Sequence, residues 1–205
     1  MLISIIIAVP TEFKNTTAFL TELVKQPGKF EIIVVFGPGI DDRVPVEGDD
    51  RVKFISTACN GYEAQLNAGA AEAGGDVLFF LDPASRLPEA AILAIERNIE
   101  LLPQTIGGNF HPKFKMASLL SKLLARALKW WRYRGCYFRH SGIFIRKEVY
   151  DALGGFRPDT PLPDFDLVKR MESFGPTLFL PEAIVSPRPT VGEALRWLTA
   201  PILMR

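Results

Sequence analysis

Three short, predominantly apolar runs constrain the fold of this chain more than any other feature. They are Leu2–Val9, Glu31–Phe36 and Val77–Leu81. A continuous apolar run between turn-forming residues is typical of a strand that is buried on both faces, as in a parallel sheet. Segments with helical character lie between them, at 15–24 and 63–73. Strands that alternate with helices predict βαβ units and an α/β fold with a parallel sheet covered on both faces.

The rest of the chain continues with short elements of both kinds. Further strands are predicted at 52–56, 105–111, 142–146, 177–180 and 183–186, and further helices at 88–101, 147–153, 164–174 and 191–204. The helix over 147–153 ends at Gly154-Gly155, which is typical of a helix C-terminus. We therefore predict a single domain over residues 1–205.

The carboxyl end of the strand at Val77–Leu81 marks a candidate site. Ligands of open α/β sheets bind outside the carboxyl ends of the parallel strands. Asp82 is the first polar side chain past this end. However, an aspartate before Pro83 is also ordinary turn chemistry, so Asp82 could simply start the turn. The sequence leaves both roles open.

Composition excludes several classes of protein. Of the 205 residues, 48% are hydrophobic and 23% are charged, which indicates a globular domain with a sizeable core. The net charge of +1 argues against a nucleic-acid partner. Cys59 and Cys136 are far apart and form no metal-binding pair with His111 or His140, so we expect buried free thiols in a reducing cytoplasm. No apolar run is long enough to predict a membrane-spanning helix.

Glycine-rich phosphate cradles are absent from the first strand–helix junction. A dinucleotide-binding domain has G-x-G-x-x-G directly after its first strand, where this chain has Ala8-Val9-Pro10-Thr11-Glu12. The P-loop pattern and the basic glycine-rich signature of nucleotidyltransferases are also missing. A bound nucleotide would therefore not be held by a glycine cradle at a helix start.

Residues 114–134 combine a leucine-rich stripe with many basic residues and no acidic one. This pattern predicts a long amphipathic helix, and most such helices cover a core with one face and expose the other. A basic amphipathic helix can also lie on an anionic membrane surface, with Trp130 and Trp131 at the depth of the headgroups. The sequence favours the core-packing role and leaves peripheral membrane contact as the alternative.

Five segments, taken in order, resemble the motifs of family 2 glycosyltransferases, which have the GT-A fold, and most closely its short bacterial members. They are SIIIAVPTE at 4–12, EIIVVFGPGIDD at 31–42, GYEAQLNAGAAEAGGDVLFFLD at 61–82, SGIFIRKEVYDALGGF at 141–156 and PDFDLVKRM at 163–171. The third resembles the helix and strand that lead into the D-x-D motif, and the last resembles the E-D-x-E-L helix start. The resemblance implies a GT-A-like fold with a nucleotide-binding half, 1–101, and an acceptor half, 102–205, which adds a small antiparallel part to the sheet.

The resemblance also implies a reaction and its residues. Family members move a sugar from a nucleotide diphosphate to an acceptor hydroxyl, and a divalent metal on the D-x-D carboxylates usually neutralises the leaving diphosphate. Asp82 would approach the diphosphate and a manganese or magnesium ion. Asp164 would be the general base of an inverting transfer, besides capping its helix, with Asp166 as the second choice. The other positions that match donor-contacting positions are Ala8, Pro10, Glu12, Phe36, Gly61, Asn67, Ala84 and His140.

Departures from the family pattern fall on positions that would touch the ligand. Ala84 replaces the second aspartate of D-x-D, and Phe36 replaces an aspartate that contacts the nucleotide base. Phe36 could stack on the base or lie in the core at a strand end. A single carboxylate holds a hard divalent ion poorly, so cationic side chains could neutralise the diphosphate instead. The candidates are Arg86, Arg139, His140 and Arg188.

Two functions are compatible with these residues. The first is an inverting glycosyltransferase with a nucleotide-sugar donor and a lipid-linked or saccharide acceptor. The second is a catalytically impaired, glycosyltransferase-like binding or scaffold protein, since a fold does not by itself imply a function. Either would act in the cytoplasm, and at the inner face of the membrane if residues 114–134 dock there.

Overall fold

The computed structural model describes residues 1–9, 16–39, 49–114 and 141–186. In chain order, these residues form β1 (Ile3–Val9), α1 (Thr16–Leu23), β2 (Phe30–Phe36), β3 (Val52–Ser56), α2 (Tyr62–Glu72), β4 (Val77–Phe80), α3 (Ala91–Leu101), β5 (Gly107–Phe114), β6 (Ile143–Arg146), α4 (Lys147–Leu153), α5 (Pro163–Phe174) and β7 (Thr177–Ser186). The helix predicted at 191–204 and nearly all of the one predicted at 114–134 lie outside the described residues.

Within the described part of the chain, seven strands form one sheet in the order β3-β2-β1-β4-β6-β5-β7. β1 pairs in parallel with β2 and β4, and β2 pairs in parallel with β3. β6 runs antiparallel to both β4 and β5, and β7 returns to a parallel pairing with β5. The prediction of a mostly parallel sheet with a small antiparallel addition in the C-terminal half is confirmed.

The inner strands are buried along their whole length because helices cover both faces of the sheet. Every residue of β1, β2 and β4 is buried. Alternate side chains enter two separate cores: Ile5 and Phe79 pack on the side of α1 and α3, whereas Ile6 and Phe80 pack on the side of α2, α4 and α5. Burial of each such side chain contributes about 1.5–3 kcal/mol.

The elements on which a site could be built meet where the parallel strands have their carboxyl ends. The strands β1 to β4 all end there, and β6 begins there because Ile143 pairs with Phe80. We call this the carboxyl edge. β7 begins at the opposite edge, where Thr177 pairs with Gly107. α5 spans about 18 Å for its 12 residues and ends just before β7, so its first turn lies at the carboxyl edge.

α3 begins three residues later than the helix predicted from Pro88. Ala90 precedes the helix with a φ of 57°, a left-handed conformation that a helix cannot include. Gln26 caps the true start from outside, because its side-chain oxygen accepts the amide of Ala91 at 3.0 Å and its side-chain nitrogen donates to the carbonyl of Pro88 at 3.0 Å. No local sequence pattern reveals a cap that comes from a turn about 60 residues earlier in the chain.

Two predicted boundaries in the C-terminal half are wrong for the same reason. β5 extends to Phe114, so an amphipathic helix cannot begin at that residue. The two strands predicted at 177–180 and 183–186 are one strand, β7, with an irregularity in its register between Leu180 and Ala183. Both extensions arise from the long pairing of β5 with β7, which short-range patterns do not indicate.

A buried polar cluster joins three strands at the edge opposite the carboxyl edge. The Glu31 carboxylate accepts hydrogen bonds from the Ser4 hydroxyl at 2.7 Å, the Gly74 amide at 2.7 Å and the Lys53 ammonium at 2.6 Å. The Ser4 oxygen accepts the amide of Gly75 at 2.9 Å. A Cβ atom on Gly75 would lie 2.5 Å from that oxygen, so the turn before β4 requires glycine.

We expect this cluster to make folding stability depend on acid pH. Burial alone would raise the pKa of Glu31, but the bonds from Lys53, Ser4 and Gly74 outweigh it and hold the pKa below its usual value of 4.5. A depressed pKa stabilises the fold above the unfolded-state pKa, and this contribution is lost as the pH falls through the folded-state pKa.

The expected signature is a stability difference between wild type and Glu31→Gln that is largest near neutral pH and shrinks below about pH 4. Urea unfolding at a series of pH values measures it. Glu96→Gln, a carboxylate outside this cluster, is the control. A difference that stays constant from pH 7 to pH 3 would show that Glu31 is not ionised in the cluster.

Candidate active site

Asp82 follows β4 at the carboxyl edge and is half-buried. Its Oδ1 atom accepts the amide of Ala84 at 2.8 Å, and its carbonyl oxygen accepts the amide of Ser85 at 2.9 Å. This is the turn role that the sequence left open. Asp82 therefore shapes the loop after β4 with one of its carboxylate oxygens.

The loop that Asp82 begins is anchored at its far end as well. The amide of Arg86 donates to the carbonyl of Val185 at 2.8 Å, and the amide of Val185 donates back at 2.9 Å. Ser85 between these anchors is buried, whereas Ala84 and Arg86 are exposed. The loop is thus short and held by hydrogen bonds at both ends, and it places Arg86 beside the carboxyl edge.

A cleft of about 780 Å³ lies between α1 and this loop. The described residues that line it are Ala18, Phe19, Glu22, Leu23, Gln26, Pro83, Ala84, Ser85, Arg86 and Leu87. A hydrogen bond from Lys25, at 2.6 Å, lowers the pKa of the Glu22 carboxyl, and the charge of Arg86 acts in the same direction. Glu22 and Arg86 therefore line the same cleft with opposite charges.

Asp164 lies in the first turn of α5 at the same edge, and its Oδ1 atom is buried. The residue in the N-cap position is Leu162, so the prediction that Asp164 caps the helix is wrong. The helix begins one residue earlier because Pro163, with its fixed φ and missing N–H, fits the first helical position. A carboxylate in the first helical turn still interacts favourably with the helix dipole.

Asp166, the second candidate base, is committed to an ion pair. Arg170 approaches Oδ2 of Asp166 with Nε at 2.9 Å and Nη2 at 2.7 Å, and Arg157 lies 3.8 Å from Oδ1. The side chains of Asp166 and Arg170 are 18% and 15% exposed. This pairing favours Asp164 over Asp166 as a base.

Asn67 on α2 makes three hydrogen bonds within the protein. Its Oδ1 atom accepts the Tyr150 hydroxyl at 2.5 Å and the Phe156 amide at 2.9 Å, and its Nδ2 atom donates to the Phe156 carbonyl at 2.9 Å. These bonds tie α2 to the turn after α4. They give Asn67 a structural role, and its contact with a donor stays a prediction.

Ala8, Phe36 and Gly61 are three further positions matched to donor contacts. Ala8 and Phe36 are fully buried, and the Phe36 ring stacks on that of Phe54 with centroids 6.0 Å apart. Phe36 therefore has the core role of its two predicted roles, and its ring does not present a face to a nucleotide base. Gly61 is exposed and precedes α2 with a φ of 100°, a conformation that favours glycine.

Several predicted residues lie outside the described residues, so their roles stay predictions. They are Pro10, Glu12, Cys136, Arg139, His140 and Arg188. Cys59 is described, and the prediction that it is buried is wrong. It belongs to the loop after β3, where its amide donates to the Thr57 hydroxyl at 3.1 Å, and this loop packs into neither core.

The described residues do not fit a divalent metal ion. Across residues 1–9, 16–39, 49–114 and 141–186, no group of three or more His, Cys, Asp and Glu side chains is arranged to hold one. Asp82 already uses Oδ1 in its turn, and Ala84 has no side-chain oxygen. Hard divalent ions require several converging oxygens.

Sequence reasoning missed two residues that shape this region. Arg170 is separated from Asp166 by four positions on one helix, and this spacing is a recognised signal for an ion pair. Tyr150 gives no such signal, because its partner Asn67 lies 83 residues away.

Comparisons with known proteins agree on the kind of fold. Residues 4–100 match the family model described as Glycosyl transferase family 2. No curated protein sequence matches the chain significantly. The matched segment runs from β1 into α3 and includes β4 and Asp82.

Similar solved structures cover nearly the whole chain at low sequence identity. A mannosyltransferase from Pyrobaculum calidifontis, in complex with GDP-Man and Mn2+, is 17% identical with a TM-score of 0.72, over 99% of this chain and 64% of that one. S. aureus TarS 1-349 is 15% identical with a TM-score of 0.73, over 100% and 66%. Its complex with UDP-GlcNAc is 15% identical with a TM-score of 0.69, over 95% and 61%. This chain therefore spans about two thirds of the length of these structures, and the likeness establishes a GT-A fold.

None of the helices that the structure describes is both long enough and apolar enough to cross a bilayer.

Proposed function

Residues 4–100 of this chain belong to glycosyltransferase family 2, and from this premise we propose that the protein moves a sugar from a nucleotide-diphosphate donor to an acceptor hydroxyl. The observation that carries the proposal is the placement of two carboxylates. Asp82 follows β4 and Asp164 lies in the first turn of α5, and both elements meet at the carboxyl edge. Ligands of open α/β sheets bind at this edge.

Asp164 is the proposed general base of an inverting transfer. Its carboxylate takes the proton of the acceptor hydroxyl as the hydroxyl oxygen attacks the anomeric carbon of the sugar. The bond from that carbon to the diphosphate oxygen breaks on the opposite face, and the nucleoside diphosphate leaves with the electron pair. A single displacement of this kind inverts the configuration at the anomeric carbon.

Arg86 is the proposed neutraliser of the leaving diphosphate among the described residues. It is exposed, its backbone is fixed by Val185, and it lies in the loop that Asp82 begins. Fixed positive charge at the place where negative charge develops lowers the barrier. The related mannosyltransferase complex contains Mn2+, and a divalent ion here would need oxygen ligands besides Asp82. No step of the proposed sugar transfer depends on a metal.

The donor half of the proposal is residues 1–101, and the acceptor half is 102–205. The proposed acceptor is lipid-linked or a saccharide, and the proposed place of action is the cytoplasm. A basic helix at 114–134 would bring the protein to the inner face of the membrane, which sedimentation with anionic liposomes at low and high salt would test.

A binding or scaffold protein on the same fold is the second candidate function. It is favoured by the losses at Ala84 and Phe36, because neither side chain can hold a metal or bond to a nucleotide base. The two candidates differ in whether Asp164 performs chemistry.

Calorimetric titration with a panel of nucleoside diphosphates, with and without manganese, tests the proposed donor site. We expect at least one nucleotide to bind, and Arg86→Gln to weaken that binding by about tenfold or more, since a lost charge-assisted hydrogen bond costs about 1.5–3 kcal/mol. Arg97→Gln on α3 makes the same change of charge at another exposed arginine and should leave affinity unchanged. Absence of binding by every nucleotide in the panel would rule out the transferase function.

A further inference from the structure

We propose that Arg170 is a positioning residue for the transfer, which fixes the helical turn that carries Asp164 relative to the strand that leads into Asp82. This inference rests on the proposed function. It concerns a residue with no predicted part in the reaction, whose side chain joins α5 to the turn over residues 153–156.

The guanidinium of Arg170 has defined partners for all three of its nitrogens. Nε and Nη2 donate to Asp166, Nη1 donates to the carbonyl of Leu153 at 2.7 Å, and Nη2 also donates to the carbonyl of Gly155 at 2.8 Å. The bonds to Asp166 hold the first turn of α5, because Asp166 follows Asp164 by two residues. The bonds to the two carbonyls hold the turn over residues 153–156.

The turn over 153–156 is held from its other side by the nucleotide-binding half. Asn67 on α2 binds both the amide and the carbonyl of Phe156. The ring of Phe156 packs edge-on against Phe80, with centroids 5.0 Å apart. Phe80 is the last residue of β4 and precedes Asp82 by two positions. A continuous series of contacts therefore runs from Asp82 to Asp164 through this turn.

Arginine suits this position in a way that lysine does not. The planar guanidinium serves a carboxylate and two carbonyls at once, whereas an ammonium is a compact point charge on a flexible stem. Gly154 and Gly155 have φ values of 75° and 69°, so the turn is tightly bent and its carbonyls point at the helix that Arg170 occupies. Lysine would keep the positive charge but could not bond to the carboxylate and both carbonyls at once.

Proton transfer is sensitive to geometry on this scale. A general base must reach the acceptor hydroxyl within hydrogen-bond distance, and a displacement of about 1 Å can cost about 100-fold in rate. Donor binding does not use Asp164 in the proposed reaction. Loss of the hydrogen bonds of Arg170 should therefore lower kcat and leave the KM for the donor unchanged.

The test compares Arg170→Lys with wild type, with Lys169→Gln as the matched control on the exposed side of the same helix. Calorimetry with the nucleotide that wild type binds counts the folded, binding-competent sites, and kcat is expressed per site. For Arg170→Lys we expect kcat per site to fall by about 10- to 100-fold, with donor KM and nucleotide affinity within about twofold of wild type. Lys169→Gln should match wild type in all three.

Unchanged kcat per site in Arg170→Lys would overturn the inference, as would a donor KM that rises in proportion to the fall in kcat. If Arg170→Lys does not fold, Asp166→Asn serves instead, because it leaves the bonds of Arg170 to Leu153 and Gly155 in place. It should also lower kcat per site selectively, and failure of both variants to fold would show that the pair acts in stability and not in positioning. Failure of the proposed function looks different, because wild type itself would then bind no nucleotide or transfer no sugar.

Discussion

Replacement of Asp164 by Asn is expected to lower sugar transfer by about 100- to 10,000-fold, the usual range for removal of a general base. Asn has nearly the same shape as Asp but cannot take a proton from the acceptor. Asp164 lies in the first turn of α5 at the carboxyl edge, whereas the neighbouring Asp166 is held by Arg170. Nucleotide affinity should stay within about twofold of wild type. Release of nucleoside diphosphate from the donor, measured beside calorimetry, gives both values.

Asp159→Asn is the matched control for this experiment. Asp159 is exposed in the segment before α5, and the change removes the same charge from the same half of the chain. It should leave transfer unchanged. A donor turnover in Asp164→Asn above about a tenth of wild type would place the base at another residue. A wild type that binds nucleotide but turns over no donor would favour the binding or scaffold function.

Replacement of Asn67 by Ala is expected to lower the free energy of unfolding by about 2–4 kcal/mol. The change leaves the Tyr150 hydroxyl and both polar backbone groups of Phe156 without the partners they have in the fold, and an unsatisfied buried group costs about 1–3 kcal/mol. Burial raises the pKa of the Tyr150 hydroxyl well above the usual value, so this hydroxyl stays protonated and donates to Asn67. Urea unfolding at pH 7 measures the loss.

Asn67→Asp separates this structural role from a donor contact. The carboxylate keeps both acceptor bonds and loses the bond donated to the Phe156 carbonyl, so its loss of stability should be smaller than that of Asn67→Ala. Nucleotide affinity per folded site should be that of wild type in both variants. If Asn67→Ala keeps wild-type stability and loses nucleotide affinity, the donor contact implied by the family resemblance is its main role.

Most of the fold is predictable from the sequence because its strands are buried on both faces. Continuous runs such as Ile3–Val9 and Phe30–Phe36 are characteristic of a parallel sheet covered by helices. The order of the edge strands is harder to predict. The pairing of β5 with β7 joins residues about 70 positions apart, such as Gly107 with Thr177, and no local pattern indicates it.

The place of the site is predictable, but the state of its side chains is not. Asp82 follows an apolar strand, and this alone puts it at the carboxyl edge. Whether a carboxylate is available depends on partners that sequence spacing does not reveal, such as the amide of Ala84 for Asp82. Phe36 shows the same limit, since a strand-end aromatic can face a ligand or the core, and only the position of Phe54 decides between them.

The contacts that join the two halves of the chain are the least predictable from sequence. Asn67 reaches Phe156 across 89 positions, and it matches a motif position usually associated with the donor half. Arg170 binds two backbone carbonyls, and carbonyls carry no sequence signature at all. Such residues are recognised only when the turn that they hold is seen in three dimensions.

A crystal structure with the tightest-binding nucleoside diphosphate, soaked with and without manganese, tests the central claim most directly. The proposal predicts the diphosphate at the carboxyl edge, within hydrogen-bond distance of the 82–86 loop, with Arg86 directed towards it and Asp164 facing the space where the sugar would lie. A nucleotide bound elsewhere, or one at this edge with Asp164 turned away into the protein interior, would contradict it.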